Sequence, residues 1–399
     1  MILRPGIAIS AALLCARLLR ADSVVAGSVA VLPFTDVSAT PVVGADWIGE
    51  SVAEALRETL ASRGLPAIDR SDILEAFTDL RLRRSAELTR ASVLKLGQSM
   101  NADQVIYGTF RLDSSSGMLT VQATVSDRAR ARLVDLPEES GPLTELDRVE
   151  AHLGWRALTE MAPSVAPAET VAATLRPQVR VTAEEAFIRG WIAPDEQKER
   201  FYQQAVRNDP RFARPILELG KIELARKNYR LAADWLDRIQ PTNQHYAEAS
   251  FYLGVAKFHQ RDYLAAQTAF ERIKDLLPVP EVFNNLGVAE SRRNQTHALA
   301  SFREALDLNP NHPDYHFNLG YILFKTGQFE AAAERFRAVL EREPADSLAT
   351  SLLGRSLKNE GFRKGNPADA RYEAQERFKE TYEEPYFRPP LSARTEGQP

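Results

Sequence analysis

A chain of 399 residues, 44% hydrophobic and 26% charged, has the length for two or three domains and a composition ordinary for globular protein. Its 50 Lys and Arg against 54 Asp and Glu leave a net charge of −4, which excludes the basic footprint that general nucleic-acid binding needs. The one cysteine, Cys15, excludes an internal disulfide and, beyond residue 15, a thiolate metal site or a cysteine nucleophile.

Arg4 precedes an apolar run from Ile7 to Ala16 that is too short to span a bilayer comfortably and ends in small residues. This pattern reads as a secretory signal over residues 1 to about 21, so an exported, periplasmic or envelope-associated protein is expected. Lipid anchoring at Cys15 is disfavoured, because Leu14 stands where lipoprotein signals place a small residue.

Strand and helix patterns alternate from Ser28 to about Met161. Residues 28–34 form a β-branched run closed by Pro33, as for a strand entering a loop. Trp47, Ile48, Val52, Leu56 and Leu60 follow at helical spacing, with Gly64 in C-cap position. A short second strand is expected over 65–70, a helix capped by Ser71 after it, and another helix over 88–100. Residues 104–110 and 118–125 read as strands joined by a hairpin turn at Ser114-Ser115-Ser116-Gly117, and 143–161 as a long amphipathic helix.

Three short stretches, Val29-Ala30-Val31-Leu32-Pro33-Phe34, Asp46-Trp47-Ile48-Gly49 and the strand entry from Asn101 to Gly108, resemble the N-terminal α/β domain of TolB and its repeat-fused relatives. The resemblance covers about 130 residues and implies a mixed sheet with flanking helices over 27–162. Such domains are associated with protein contacts in the bacterial envelope, and peripheral association with an envelope complex is the implied role. Pro163, Pro167 and Pro177 then mark residues 163–180 as a semi-extended linker.

The strongest signal is periodic. Leu-Gly pairs ending at Gly220, Gly254, Gly287, Gly320 and Gly354 recur at intervals of 34, 33, 33 and 34 residues. Ala266, Ala298 and Ala332 each precede Phe270, Phe302 and Phe336 by four residues, and each Phe precedes Pro278, Pro310 or Pro344 by eight. This period closely resembles the tetratricopeptide repeat, which implies an all-α superhelical solenoid over 181–384. Repeats at 213–246, 247–279, 280–312 and 313–346 are well formed. Degenerate units are expected at about 179–212 and at 347–384, the latter with an insertion near Gly365-Asn366-Pro367, and residues 385–399 are expected to be disordered.

In arrays of this type the first helix of each repeat lines a concave groove. That implies groove positions at Lys221, Phe251, Phe258, His259, Asn284, Arg292, Phe317, Tyr321, Phe324, Lys325, Arg355 and Lys358, with Asn285 and Asn318 placed to fork onto a peptide backbone. Aromatics mixed with cations suit an extended or acidic segment of another protein. The competing reading of the same residues is a solvated charged face over aromatic core.

Little in the chain points to catalysis. No glycine-rich phosphate loop, nucleophile elbow or paired-histidine metal motif occurs, and of six histidines only His312 and His316 share i, i+4 spacing, a pair that reads as surface rather than metal-binding. The expectation is a non-enzymatic scaffold without cofactor or metal that binds a protein and no nucleic acid. The alternative is an envelope enzyme or ligand-sensing subunit with its site in the α/β domain, near Asp36, Asp46, Asp69 and Asp103.

Overall fold

The computed structural model describes residues 27–382, apart from 41, 43, 84–86, 129, 364–368, 370 and 371. The signal segment, Cys15, the insertion at 365–367 and the tail at 385–399 lie outside the described residues. The described chain divides between Val181 and Thr182 into two compact units.

The first unit is built on a mixed sheet. β1 (Val29–Val31) and β2 (Thr35–Asp36) both pair in parallel with β3 (Gln104–Asp113). The strand expected over 28–34 is shortened to β1, and Leu32-Pro33-Phe34 parts it from β2, because proline supplies no N–H for a ladder. β3 pairs antiparallel along its length with β4 (Met118–Asp127), which also takes β5 (Arg132–Asp135) and β6 (Glu139–Pro142). The hairpin turn holds Gly117 at φ +69°, a conformation glycine adopts without strain. The second strand expected at 65–70 shrinks to one bridge, Val29 to Ala67.

Helices α1 (Asp46–Ser62), α2 (Arg70–Asp79), α3 (Arg90–Ser99) and α4 (Leu146–Met161) complete the unit. Trp47, Ile48, Val52, Leu56 and Leu60 are buried as their spacing required. The helix expected over 88–100 is α3, capped by the Thr89 hydroxyl, whereas Ser71, the expected cap of α2, lies inside that helix and Asp69 stands at its N-cap. A Cβ at Gly49 would stand 2.0 Å from the Phe34 carbonyl oxygen, so the loop after β1 and the start of α1 touch only because residue 49 is glycine.

Residues 163–180 are not a free linker. Trp155 Nε1 donates to the Pro167 carbonyl at 2.9 Å, Ala172 is buried in a 3-10 turn (Glu169–Leu175), and Arg176 reaches Glu150 at 3.4 Å and Glu58 at 3.9 Å. Glu150 also accepts from the Ser51 hydroxyl at 2.7 Å. The three prolines do shape this stretch, but tertiary contacts fold it onto α4 and α1.

The second unit is helical: α5 (Val181–Ile192), α6 (Asp195–Asn208), α7 (Ala213–Ala225), α8 (Tyr229–Leu236), α9 (Tyr246–His259), α10 (Tyr263–Ile273), α11 (Pro280–Arg292), α12 (Ala298–Leu308), α13 (Pro313–Lys325), α14 (Phe329–Arg342) and α15 (Ser347–Leu357). Proline occupies the first turn of α11 and α13, where its missing N–H costs nothing. Lys227, Arg261, Asn294 and Gly327 have positive φ at the turn between the two helices of their repeats. Gly220, Gly254, Gly287 and Gly320 face the second helix of their repeats: a Cβ at Gly254 would lie 2.6 Å from Phe270 Cζ. Phe270, Phe302 and Phe336 are fully buried, and each such ring removes about 150–250 Å² from water.

The last unit departs from the expectation. α15 ends in the same left-handed turn, at Asn359, but no second helix follows among the described residues, and nothing lies within 4 Å of a Cβ at Gly354. Phe362 and Tyr372 instead pack over the end of the stack, Phe362 at 4.8 Å from the Phe324 ring and Tyr372 nearly buried. Residues 373–382 then leave the helical path altogether.

Candidate functional site

The first helices of successive repeats share one inner face: α7 lies beside α9, α11 beside α13 and α13 beside α15, and Phe251 and Val255 of α9 share a core with Val282 and Leu286 of α11. Along that face runs the chain's own segment 372–382, from the α15 side back towards α9, against the order of the repeats. Its grip is on the backbone. Arg377 N–H donates to Asn318 Oδ1 at 2.7 Å, and Arg377 C=O accepts from Asn318 Nδ2 at 2.8 Å and Asn284 Nδ2 at 2.9 Å. Two residues on, Lys379 N–H donates to Asn285 Oδ1 at 2.9 Å and its carbonyl accepts from Asn285 Nδ2 at 2.8 Å.

A primary amide carries one acceptor and one donor pair in a plane, so a single asparagine answers both polar groups of one residue as a neighbouring strand would. Alternate residues are bound, which is the period of extended chain. Asn284, Asn285 and Asn318 are fully buried and linked, Asn318 Nδ2 donating to Asn284 Oδ1 at 2.7 Å. Their orientations are therefore held by each other as well as by the segment.

Side chains of the segment alternate between two edges of the groove. On one edge Glu376, with its side chain fully buried, meets Arg292 at 3.1 Å, Lys325 at 3.6 Å and the Ser291 hydroxyl. Phe378 stacks on Phe258 with centroids 4.0 Å apart, Glu380 accepts from His259 at 2.8 Å, and Tyr382 meets the Phe251 ring at 4.9 Å. On the other edge Arg377 lies 4.0 Å from the Phe317 ring and pairs with Asp314 at 2.7 Å and with Asp346. Lys379 Nζ pairs with the same Asp314 at 2.6 Å. Burial pushes the Asp314 carboxyl up, but hydrogen bonds from Lys379 and Arg377 more than offset this and hold it below the usual range.

Most of the groove residues read from the sequence converge on this segment: Phe258, His259, Asn285, Arg292, Asn318, Tyr321, Lys325 and Arg355. Arg292 Nη2 donates to the Ala374 carbonyl, and Tyr321 donates its hydroxyl to the Tyr372 carbonyl, both at 2.6 Å. Burial, with Glu376 close by, pushes the Tyr321 hydroxyl far above its ordinary value. Arg355 binds Asp369 and caps the carbonyls of Glu360 and Gly361. Lys221 stands apart, paired with Glu218 at 3.2 Å and Glu248 at 3.3 Å; burial disfavours its charge, and the two carboxylates outweigh that. Lys358 is exposed just past α15, and among the described residues no hydrogen bond or ion pair joins it to the segment.

Asp314, Asp346 and Ser291 carried no signal in the sequence, which pointed to an extended or acidic chain. The seated segment is of mixed charge, and the groove carries acids for its two cations. Asp346 was hidden by its other task, capping α15 through Ala349 N–H at 2.9 Å. Asp314 lies in the first turn of α13, where an acid reads as a partner of the helix dipole.

His316 is buried, not on the surface as expected, and its Nε2 bonds the Pro310 carbonyl at 2.8 Å, while His312 Nδ1 accepts from Asp314 N–H at 3.2 Å. Burial holds His316 below its ordinary pKa. Among the described residues no group of three or more His, Cys, Asp or Glu is arranged to hold a metal. In the α/β unit Asp36 accepts from Ser38 N–H and Asp103 from Ser28 N–H, each at 2.9 Å, and Asp69 lies 3.7 Å from Arg57. Asp46 opens α1. Asp36 thus closes a local turn and Asp46 starts a helix, while Asp103 and Asp69 tie together segments distant in sequence.

Residues 296–355 match the family model described as tetratricopeptide repeat. With the paired helices and their spacing, the second unit is a tetratricopeptide-type solenoid following a mixed-sheet domain. Proteins of this repeat class mediate protein–protein interaction and scaffolding. The chain is similar to the anaphase-promoting complex subunit CDC16 of Saccharomyces cerevisiae, at 27% identity over 166 residues. That match covers 39% of this chain and spans only 20% of the length of CDC16. Among solved structures it is similar to YrrB, described as a TPR protein with an unusual peptide-binding site, at 21% identity and a TM-score of 0.37, covering 40% of this chain and 84% of YrrB. It is also similar to MamA, at 22% identity and a TM-score of 0.36 over 37% of this chain and 88% of MamA. PilF of Pseudomonas aeruginosa is 19% identical with a TM-score of 0.38, over 44% of this chain and 83% of PilF.

Proposed function

We propose that this protein is a non-catalytic adaptor that holds an extended segment of another protein along the inner face of its helical array. The observation that carries this reading is the pair of two-point contacts by which Asn285 and Asn318 satisfy the backbone of alternate residues. Such contacts recognise extended chain whatever its side chains, and an amide that answers both polar groups of one residue favours backbone in the groove. The α/β unit serves as a second contact surface. The apolar run after Arg4 and the TolB-like stretches support a place outside the cytoplasm, in the bacterial envelope.

Crosslinking and copurification from the native cell test the adaptor reading. A partner retained by wild type and lost on combined Asn285→Ala and Asn318→Ala supports the groove. If the double variant keeps every partner while deletion of residues 27–180 loses them, the groove is not the docking site. A fusion of residues 1–30 to a reporter active only outside the cytoplasm tests export, and a silent reporter refutes it.

A further inference from the structure

We propose that residues 372–382 are a built-in stand-in for the partner, and that the partner presents, in extended form, an acidic residue, a basic residue, an aromatic ring and a second basic residue in succession. This rests on the reading of the groove as a docking site for extended chain. The segment supplies that order as Glu376-Arg377-Phe378-Lys379, and the groove answers every member of it. Glu376 enters the pocket of Arg292, Lys325 and Ser291. Arg377 lies on Phe317 between Asp314 and Asp346. Phe378 lies flat on Phe258 at an interplanar angle of 4°, and Lys379 returns to Asp314.

Alternation forces this pattern. Extended chain sends successive side chains to opposite edges, and here one edge carries cations and aromatic rings while the other carries acids. An all-acidic peptide would set its second and fourth residues against Asp314, a like-charge placement that excludes it.

Because the stand-in is covalently attached, a partner meets a groove already filled. Its apparent affinity is reduced by the fraction of molecules whose groove is open, and any event that lifts the tail raises it. The tail thus sets a threshold: weak resemblance to the pattern is ignored, and a partner with more contacts than the tail displaces it.

The test uses full-length protein and a fluorescent peptide with the sequence of residues 372–382, read by polarisation. In wild type the peptide binds weakly. In the Lys379→Glu variant, which repels Asp314 and leaves the apolar packing in place, it binds at least about tenfold more tightly. Phe378→Ala in the tail gives the same direction by a different contact, and helical circular dichroism shows that each variant is folded. Adding Asn285→Ala and Asn318→Ala to either background abolishes binding. Equal affinity for wild type and both tail variants overturns the stand-in, while leaving the groove as a docking site. No binding to any folded variant overturns the docking reading itself. A peptide with glutamate at the two basic positions binds at least about tenfold more weakly than the parent; equal binding overturns the pattern.

Discussion

Replacing Glu376 with glutamine removes a charge and little else, so it isolates what the carboxylate does for the seated segment. The side chain is fully buried, with Arg292 at 3.1 Å and Lys325 at 3.6 Å. A hydrogen bond to a charged group contributes about 1.5–3 kcal/mol and a neutral one about 1, so the direct loss is about 1–2 kcal/mol. The variant also leaves two cations facing one another. Arg292 and Lys325 keep 18% and 27% of their side-chain surface, so water screens much of that repulsion and about a further 1 kcal/mol is expected. A total of about 2–3 kcal/mol means the segment leaves the groove about 30–150 times more often. Hydrogen exchange read by mass spectrometry should show amides of residues 373–382 exchanging faster by that factor at pH 7, while α9, α11 and α13 keep their protection. Unchanged exchange in the segment would show that the carboxylate does not hold it. Equal loss of protection in segment and helices would show that the segment is part of the global fold and not a separable occupant.

Gly254→Ala should destabilise the array by about 1–3 kcal/mol, because its new methyl meets Phe270, whereas Gly354→Ala in open space should gain up to about 1 kcal/mol; denaturant midpoints with unchanged slopes check both signs. His316 has a folded pKa below its unfolded value of 6.5, so the unfolded chain takes up its proton first as pH falls. Its contribution is whole above pH 6.5 and lost as pH falls through the folded value, and the melting temperature of His316→Gln should vary less between pH 7.5 and 5 than that of wild type. Asp314 has its folded pKa lowered by Arg377 and Lys379, so its hold on the segment is whole above pH 3.8 and weakens only below it; protease sensitivity of the tail should stay level from pH 7 down to about 4. Arg176→Ala leaves the buried Glu150 carboxylate without its nearby cation and should cost about 2–4 kcal/mol, seen as an earlier unfolding transition.

The helical array was legible from the 33- and 34-residue period, because a repeat writes its packing into local sequence. The groove asparagines were legible for a related reason: helix geometry assigns each position of a first helix to a face, so a count along the helix finds the inner one. The α/β unit was read in outline from β-branched runs and a glycine turn. Its boundary was misplaced, since Pro163, Pro167 and Pro177 describe stiffness and say nothing of Arg176 reaching Glu150.

What lies in the groove was not legible. Residues 347–384 have a little more than the length of one repeat, and what sets them apart is that no second helix follows Asn359 among the described residues. Glycine and proline at 361, 365 and 367 work against a second helix by about 1–3 kcal/mol each, but they do not say where the chain goes instead. Its destination is set by partners 59 to 94 residues earlier, where the Asn318 and Asn285 amides take up the backbone of Arg377 and Lys379. By itself, then, the sequence determined a stack of helix pairs with polar and aromatic groups on one inner face, since those follow from periods of 3.6 and 34. Only the tertiary structure decided that this face is filled by residues 372–382 of the same chain, because occupancy depends on non-local hydrogen bonds and ion pairs that leave no periodic mark.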